Sequence, residues 1–332
     1  MNSSDLLESR LRAIVPRFVP GASDVADLRA IPGGASQEIW TFDAVTAEGN
    51  VPLILRRAPP GSRQHASAVG LENEARLLEL AGAAGVPVPG VRGVLSRNEG
   101  LGEGFVMDRI DGETNSRRIL RDAGFAGARE RLARQCGEAL AHIHATPRGQ
   151  LPSMRVALAR EEVGHYRIEH ARAATPRPVF ELAFQWLQRR LPQQPVETAL
   201  VHGDFRNGNL VVCADGLRAV LDWELAHLGD PMEDLGWISV NSWRYGRSEL
   251  PVGGFGVRED LFAGYEAGGG RVDPDRVRFW EVLGTLKWGV MCEGMALSWQ
   301  SGDVRTVERA AIGRRTSETE IDLLLLMQPE SQ

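Results

Sequence analysis

Two stretches of this chain follow different periodicities, and the contrast limits the folds open to it. Residues 25–57 alternate short runs rich in Ile, Val, Trp, Phe and Thr with turn residues, which reads as antiparallel strands. Two further strands are expected near 90–96 and 103–110, joined by the turn RNEGLGEG. Between these groups, residues 68–84 place Leu71, Ala75, Leu78 and Ala81 at helical spacing. A short amphipathic helix at 5–16 is expected to stop at Pro16. From about residue 124 the pattern is helical, with helices expected at 125–145, 155–173, 178–190, 231–240, 258–267, 274–299 and 303–327. Asp273-Pro274 supplies an N-cap followed by proline at the first helical position. The fold class this predicts is α+β and bilobal. Residues 1–107 form a small antiparallel-sheet lobe with one main helix, 108–112 a connection, and 113–332 a larger, mostly helical lobe. A length of 332 residues suits two such units of roughly 100–200 residues each.

Charge and cysteine usage narrow the classes of function. The net charge is −6 and the isoelectric point near 5.7, so the basic excess of a nucleic-acid binder is missing. The acidic balance is read first as a negative margin for solubility and only second as a surface for a cationic substrate. Cys136, Cys213 and Cys292 are far apart and odd in number, with no CxxC pair. That argues against a disulfide framework or zinc knuckle and fits a reducing cytoplasm. The stretch Met1–Arg12 is polar, and no apolar run approaches the ~18–20 residues that span a bilayer, so no membrane association is expected.

The chemistry concentrates in one exception to the helical pattern. Leu200-Val201-His202-Gly203-Asp204-Phe205-Arg206-Asn207-Gly208-Asn209-Leu210 precedes a small hairpin, with strands at Leu210–Cys213 and Ala219–Leu221 around the turn Ala214-Asp215-Gly216. Asp222-Trp223-Glu224 follows directly. Phosphoryl transfer to a hydroxyl needs a carboxylate at the attacking oxygen and oxygen ligands for the Mg²⁺ that bridges the phosphates. Asp204 suits the first task; Asn209 and Asp222 suit the second. The Asp204–Asn209 spacing equals that of the protein-kinase catalytic loop, and Asp222 takes the place of the later metal-binding aspartate.

This combination, H-G-D-x-x-x-x-N, a hairpin and D-W-E, resembles the aminoglycoside phosphotransferase-like kinases, which include choline and homoserine kinases. The wording of Val201–Asn209, Leu221–Glu224 and Gly229–Leu235 is most similar to the phosphotransferase domain associated with acyl-CoA dehydrogenases. The resemblance implies a protein-kinase-like fold, ATP and Mg²⁺ as cofactors, and a small-molecule hydroxyl acceptor bound between the metal loop and the C-terminal helices. It also implies a functional link to an acyl-CoA dehydrogenase and a hydroxy acid or hydroxyacyl-CoA as acceptor. Gly33, Gly34 and Ser36, between the first two strands, stand where backbone N–H groups would approach the phosphates. Glu74, with Glu72 as a competitor, would pair with a strand cation holding the α- and β-phosphates. Arg56 stands where lysine is usual, and Arg57 should point to the opposite sheet face. Asp108 and Ile110 stand where main-chain groups would bond adenine.

Around this core the residues leave several roles open. His202 is read as a support of the loop, and Arg206 either as a ligand of substrate or γ-phosphate or as a partner of Asp222 or Asp230. Asp230 and Asp234 are expected to cap a helix and tie down the loop, and His142 and His144 to be ordinary structural histidines. Glu224, Trp243, Glu281, Trp288 and Glu293 are acceptor-side candidates. A pseudokinase with an arginine clamp and an aminoglycoside or macrolide phosphotransferase are the competing readings.

Overall fold

The computed structural model describes residues 3–31, 37–58, 68–173, 175–193 and 197–328. After helix α1 (Ser3–Phe18) the strand-rich stretch becomes one antiparallel sheet: β1 (Asp24–Ile31), β2 (Glu38–Thr46), β3 (Gly49–Ala58), β4 (Val91–Val94) and β5 (Glu103–Asp108). Their spatial order is β1-β2-β3-β5-β4. Alternation along β3 gives the sheet two buried faces. Leu53 and Leu55 join Phe42 and Val106 beneath Leu7, Leu11 and Val15 of α1. On the other face Ala58 and Phe105 meet α2 (Leu71–Ala83) in the core that continues through the larger lobe. Helix α1 does not stop at Pro16. The proline sits in the last turn, where it forfeits one backbone bond, and burial of Val15 and Phe18 holds the turn.

The larger lobe runs α3 (Ser116–Arg121), α4 (Ala126–His144), β6 (Val156–Ala157), α5 (Ala159–Arg172), α6 (Pro178–Arg189), β7 (Ala199–Val201), β8 (Leu210–Cys213), β9 (Gly216–Val220), β10 (His227–Gly229), α7 (Met232–Ile238), α8 (Arg258–Ala267), α9 (Pro274–Ser301), α10 (Val307–Gly313) and α11 (Thr316–Leu326). Helix α9 is the axis, buried around most of its circumference from Val277 to Glu293. The expected hairpin is β8–β9. A small sheet in the order β6-β10-β7 was not expected, because strands of two or three residues carry no periodicity.

The single helix expected at 303–327 is two. Gly313 packs so closely on α9 that an added Cβ would lie 2.8 Å from Ala296 Cβ, and the Thr316 hydroxyl donates to the Gly313 carbonyl at 3.0 Å. Close packing and a side-chain bond to the last carbonyls end one helix and start the next. Glu113, just past the connection, exchanges backbone bonds of 2.8 and 3.0 Å with Val212, and between the lobes Val220 N–H reaches Pro87 O at 2.8 Å and Val69 N–H reaches Glu224 O at 3.0 Å. Among the described residues no helix is long and apolar enough to cross a membrane, and all three cysteines are free thiols.

Candidate active site

Strand β7 delivers the chain to a loop whose backbone only glycine fits. Gly203 has φ +79°, and an added Cβ would stand 2.5 Å from the Leu225 carbonyl oxygen. The loop is tied from beneath by Asp234 of α7. Its carboxylate accepts the His202 N–H at 2.8 Å and the Gly203 N–H at 3.0 Å, and its Oδ2 lies 3.0 Å from His144 Nε2. Burial opposes the Asp234 charge, but the bonds from His144 and the loop outweigh it and hold the carboxyl below its usual range. His144, read from sequence as an ordinary histidine, is therefore part of the loop's foundation. Only the fold brings it to Asp234, 90 residues away.

His202 is fully buried, and burial pushes its pKa down. The neutral ring accepts the Asp204 N–H at Nδ1 (3.2 Å), which leaves Nε2–H to donate to the Leu221 carbonyl (3.1 Å). It supports the loop as expected and links Asp204 to the strand end that carries Asp222.

The Asp204 carboxylate collects three donors. Trp237 Nε1 reaches Oδ1 at 2.8 Å, Asn209 Nδ2 reaches Oδ2 at 2.8 Å, and Arg206 Nε reaches the two oxygens at 2.9 and 3.1 Å. Arg206 thus pairs with Asp204 and not with Asp222 or Asp230. Asp230 instead caps α7 at the Met232 N–H and binds Arg276 and the Trp280 indole. Asn209 spends its amide N–H₂ on the side chain and carbonyl of Asp204, so the side chain presents its amide oxygen.

Asp222 follows β9 in the left-handed region, φ +67°, a strained conformation for a residue other than glycine. Leu221 N–H bonds the Asn209 carbonyl at 2.8 Å, which sets the two side by side. A carboxylate and an amide oxygen are hard donors of the kind Mg²⁺ takes, so the residues fit that ion.

The small lobe contributes Arg56 from β3, almost fully buried. Its Nη2 lies 2.7 Å from Asp222 Oδ1 and 3.6 Å from Glu224 Oε2, its Nε 3.3 Å from Glu74 Oε2, and Nε also donates to Gln37 at 2.7 Å. Glu74 is the α2 carboxylate at the site; Glu72 is exposed. Burial raises the Glu74 pKa to about 7 despite the nearby guanidinium. Arg57 points to the opposite face and pairs with Glu38 at 2.7 Å. Asp108 spends its carboxylate on Arg92 at 2.6 Å and its N–H on the Gly90 carbonyl at 2.9 Å. Gly33, Gly34 and Ser36 lie outside the described residues.

The acceptor-side candidates separate. Glu224 sits with Arg56, Glu281 between Arg244 (3.0 Å) and Arg258 (2.5 Å), and Glu293 against His170 (2.7 Å) and Arg177. The two buried glutamates are occupied in holding helices together. Trp243 and Trp288 belong to a stack that reaches the Asp204 ligand Trp237. Lys287 stands beside that stack, its Nζ 4.7 Å from the Trp237 ring. Sequence reading missed Trp237 and Lys287, since a tryptophan and a lysine on apolar helices carry no spacing signal.

A model of the phosphotransferase enzyme family matches residues 27–280. Acyl-CoA dehydrogenase family member 11 of Rattus norvegicus is 31% identical over 246 residues, covering 70% of this chain and 30% of that protein. Family member 10 of Mus musculus is 32% identical over 197 residues, covering 56% of this chain and 18% of that protein. The chain therefore spans less than a third of the length of these relatives. Among solved structures, a Ralstonia eutropha protein described as an aminoglycoside phosphotransferase superposes with a TM-score of 0.75 at 18% identity, over 99% of both chains. A choline/ethanolamine kinase family protein from Mesorhizobium loti superposes with a TM-score of 0.64 at 21% identity, over 97% of this chain and 95% of that one. These likenesses bear out the bilobal kinase-like fold, and the family match, spanning the sheet, the Asp204 loop and most of the helical lobe, carries the assignment: the chain belongs to the phosphotransferase enzyme family.

Proposed function

We propose that the chain transfers the γ-phosphoryl group of ATP to a hydroxyl of a hydroxy acid or hydroxyacyl-CoA, in an Mg²⁺-dependent reaction with Asp204 as base. The observation that carries this reading is the Asp204 carboxylate held 2.8 Å from Asn209, with Asp222 joined to Asn209 through the Leu221–Asn209 backbone bond. In the reaction Asp204 takes the acceptor's hydroxyl proton as that oxygen bonds to the γ-phosphorus. The bond from the γ-phosphorus to the bridging oxygen breaks, and ADP leaves with the electron pair. Asn209 and Asp222 would hold Mg²⁺, which when bound offsets charge on the phosphates. Arg56 serves the α- and β-phosphates with Glu74 fixing its position. By the same reading Gly33, Gly34 and Ser36 would supply main-chain N–H groups to the phosphates, and Asp108 and Ile110 would hold adenine through the backbone.

The acyl acceptor is supported by the relatives' names, which are those of acyl-CoA dehydrogenases, and implies a functional link to such an enzyme. The free cysteines suit a cytoplasmic setting. ADP release with Mg-ATP, measured across hydroxy acids, hydroxyacyl-CoAs, aminoglycosides, choline and sugars, tests the reading. Turnover that survives Asp204→Asn undiminished would remove Asp204 from its role.

A second reading, a non-catalytic nucleotide-binding module, draws on the Arg56–Asp222 pair, which ties the arginine clamp to a metal-binding position. Thermal-shift titration with ATP, with and without Mg²⁺, separates the two when joined to the product assay. Binding without phosphorylation of any acceptor favours the module.

A further inference from the structure

Three indoles stack outward from the base. Trp237 and Trp243 have ring centroids 5.1 Å apart, and Trp243 and Trp288 4.9 Å. Trp237 spends its N–H on Asp204, but the Nε1 atoms of Trp243 and Trp288 are buried with no hydrogen-bond partner among the described residues. Trp243 is itself only 5% exposed. A buried donor without an acceptor is costly unless a ligand supplies one.

The stack also carries its own cations. Arg206 stands 5.0 Å from the Trp243 ring centre, and Lys287 Nζ 4.7 Å from Trp237 and 5.8 Å from Tyr166. Lys287 is 8% exposed, and the nearest carboxylate oxygen, Glu233 Oε1, is 3.9 Å away, beyond hydrogen-bond reach. Glu233 lies 3.2 Å from His227, and Glu162 accepts from Arg155 at 2.9 Å, so both nearby carboxylates already have other partners. Burial works against the ammonium, but the nearby carboxylates of Glu233 and Glu162 favour its charged form.

We infer that this cluster, Lys287 with the Trp237–Trp243–Trp288 indoles, reads the acceptor by an acyl oxygen on an anionic molecule and rejects cations. A quaternary ammonium or polyamine would need an aromatic face free of positive charge, and here both inner indoles already face one. Two N–H donors and an ammonium, none with a hydrogen-bond acceptor among the described residues, call instead for oxygen acceptors. The shared chemistry is a carboxylate or thioester carbonyl. The inference rests on the phosphotransferase reading above and specifies its substrate class.

The test compares phosphorylation of hydroxy acids of three to six carbons, their CoA thioesters, choline and kanamycin by the full chain. One of the acyl classes should be turned over, and which one identifies the source of the oxygen. For that acceptor Lys287→Met should raise KM about ten-fold with KM for ATP unmoved, and Lys287→Arg should recover most of the loss. Trp243→Phe keeps an aromatic ring and removes the N–H. It should raise acceptor KM about five-fold and decides the matter if Lys287→Met does not fold. An unchanged acceptor KM in the folded variants overturns the inference. So does turnover of choline or kanamycin with the acyl compounds inert, while the phosphotransferase reading then stands. No turnover of any acceptor, with Mg-ATP bound, overturns both.

Discussion

Arg56 Nη2 lies 2.7 Å from Asp222 Oδ1, so the guanidinium of the small lobe rests on a carboxylate of the large one. Glu74 and Glu224 stand at 3.3 and 3.6 Å, which gives one cation three carboxylates. Nucleotide phosphates would compete with Asp222 for the guanidinium, and a divalent ion with the guanidinium for Asp222. Arg56→Ala should raise KM for ATP at least about ten-fold. It should also destabilise the fold, by less than the roughly 3–5 kcal/mol of a lone buried charge, because Glu74, already near pKa 7, takes up a proton when its cation is gone. Arg56→Lys retains a point charge without the fork and should fall between. Steady-state kinetics and thermal melts check both, and equal KM values in all three proteins would separate Arg56 from the phosphates.

Asp204→Asn keeps the volume of the side chain and removes the carboxylate we propose as the base. We expect kcat to drop about 10²–10⁴-fold while nucleotide affinity changes little. Trp237→Phe deletes the 2.8 Å bond to Oδ1 and should give a smaller loss, about ten-fold in kcat. Product formation under saturating substrates, with nucleotide binding followed by calorimetry, separates the two effects.

Glu74 gives the stability curve a recognisable slope. Its folded pKa, near 7, lies above its ordinary value of 4.5, so between those values the native state holds a proton that the unfolded chain has released. Stability from this group is therefore fully present below about pH 4.5 and is lost as pH rises toward 7. The slope cannot exceed about 1.4 kcal/mol per pH unit. Denaturation of Glu74→Gln across that window should show the slope flattened; an identical slope would place the titration elsewhere.

The foundation of the loop responds in the opposite direction. His202 is held neutral by burial and has its pKa lowered, so acid that protonates the unfolded imidazole below about pH 6.5 favours unfolding. Asp234, with a depressed pKa, adds stability that is present above its ordinary value of 3.8 and fades as pH falls below it. Asp234→Ala leaves the N–H groups of His202 and Gly203 buried without acceptors and should cost about 2–4 kcal/mol. It should also lower kcat, because Asp204 loses its platform. Urea denaturation at pH 7 and a turnover assay measure the two consequences, and a native-like midpoint with reduced kcat would limit Asp234 to positioning.

How much of this was legible before the fold was known differs residue by residue. The sequence positions of Asp204, Asn209 and Asp222 sufficed to group them, because a loop of fixed length and a short hairpin leave few geometries for three groups within 19 residues. The two-lobe arrangement was legible for the same reason: periodicities of 2 and 3.6 are local properties of the chain. Glu74 could be preferred to Glu72 only as a guess from sequence, and burial decided it.

The partners across the site were beyond the sequence. Arg206 could not be assigned among three aspartates until the loop placed its Nε 2.9 Å from Asp204. His144 meets Asp234 because α4 packs beside α7, and Lys287 reaches Trp237 because α9 does the same. Sequence alone determined most of the longer elements, the grouping of the Asp204 loop with Asp222 and the family resemblance, all of which depend on residues close along the chain. Tertiary structure alone decided the ion pairs, the buried histidines and the indole stack, since these depend on which helix faces pack together and on the charge that burial allows them to keep.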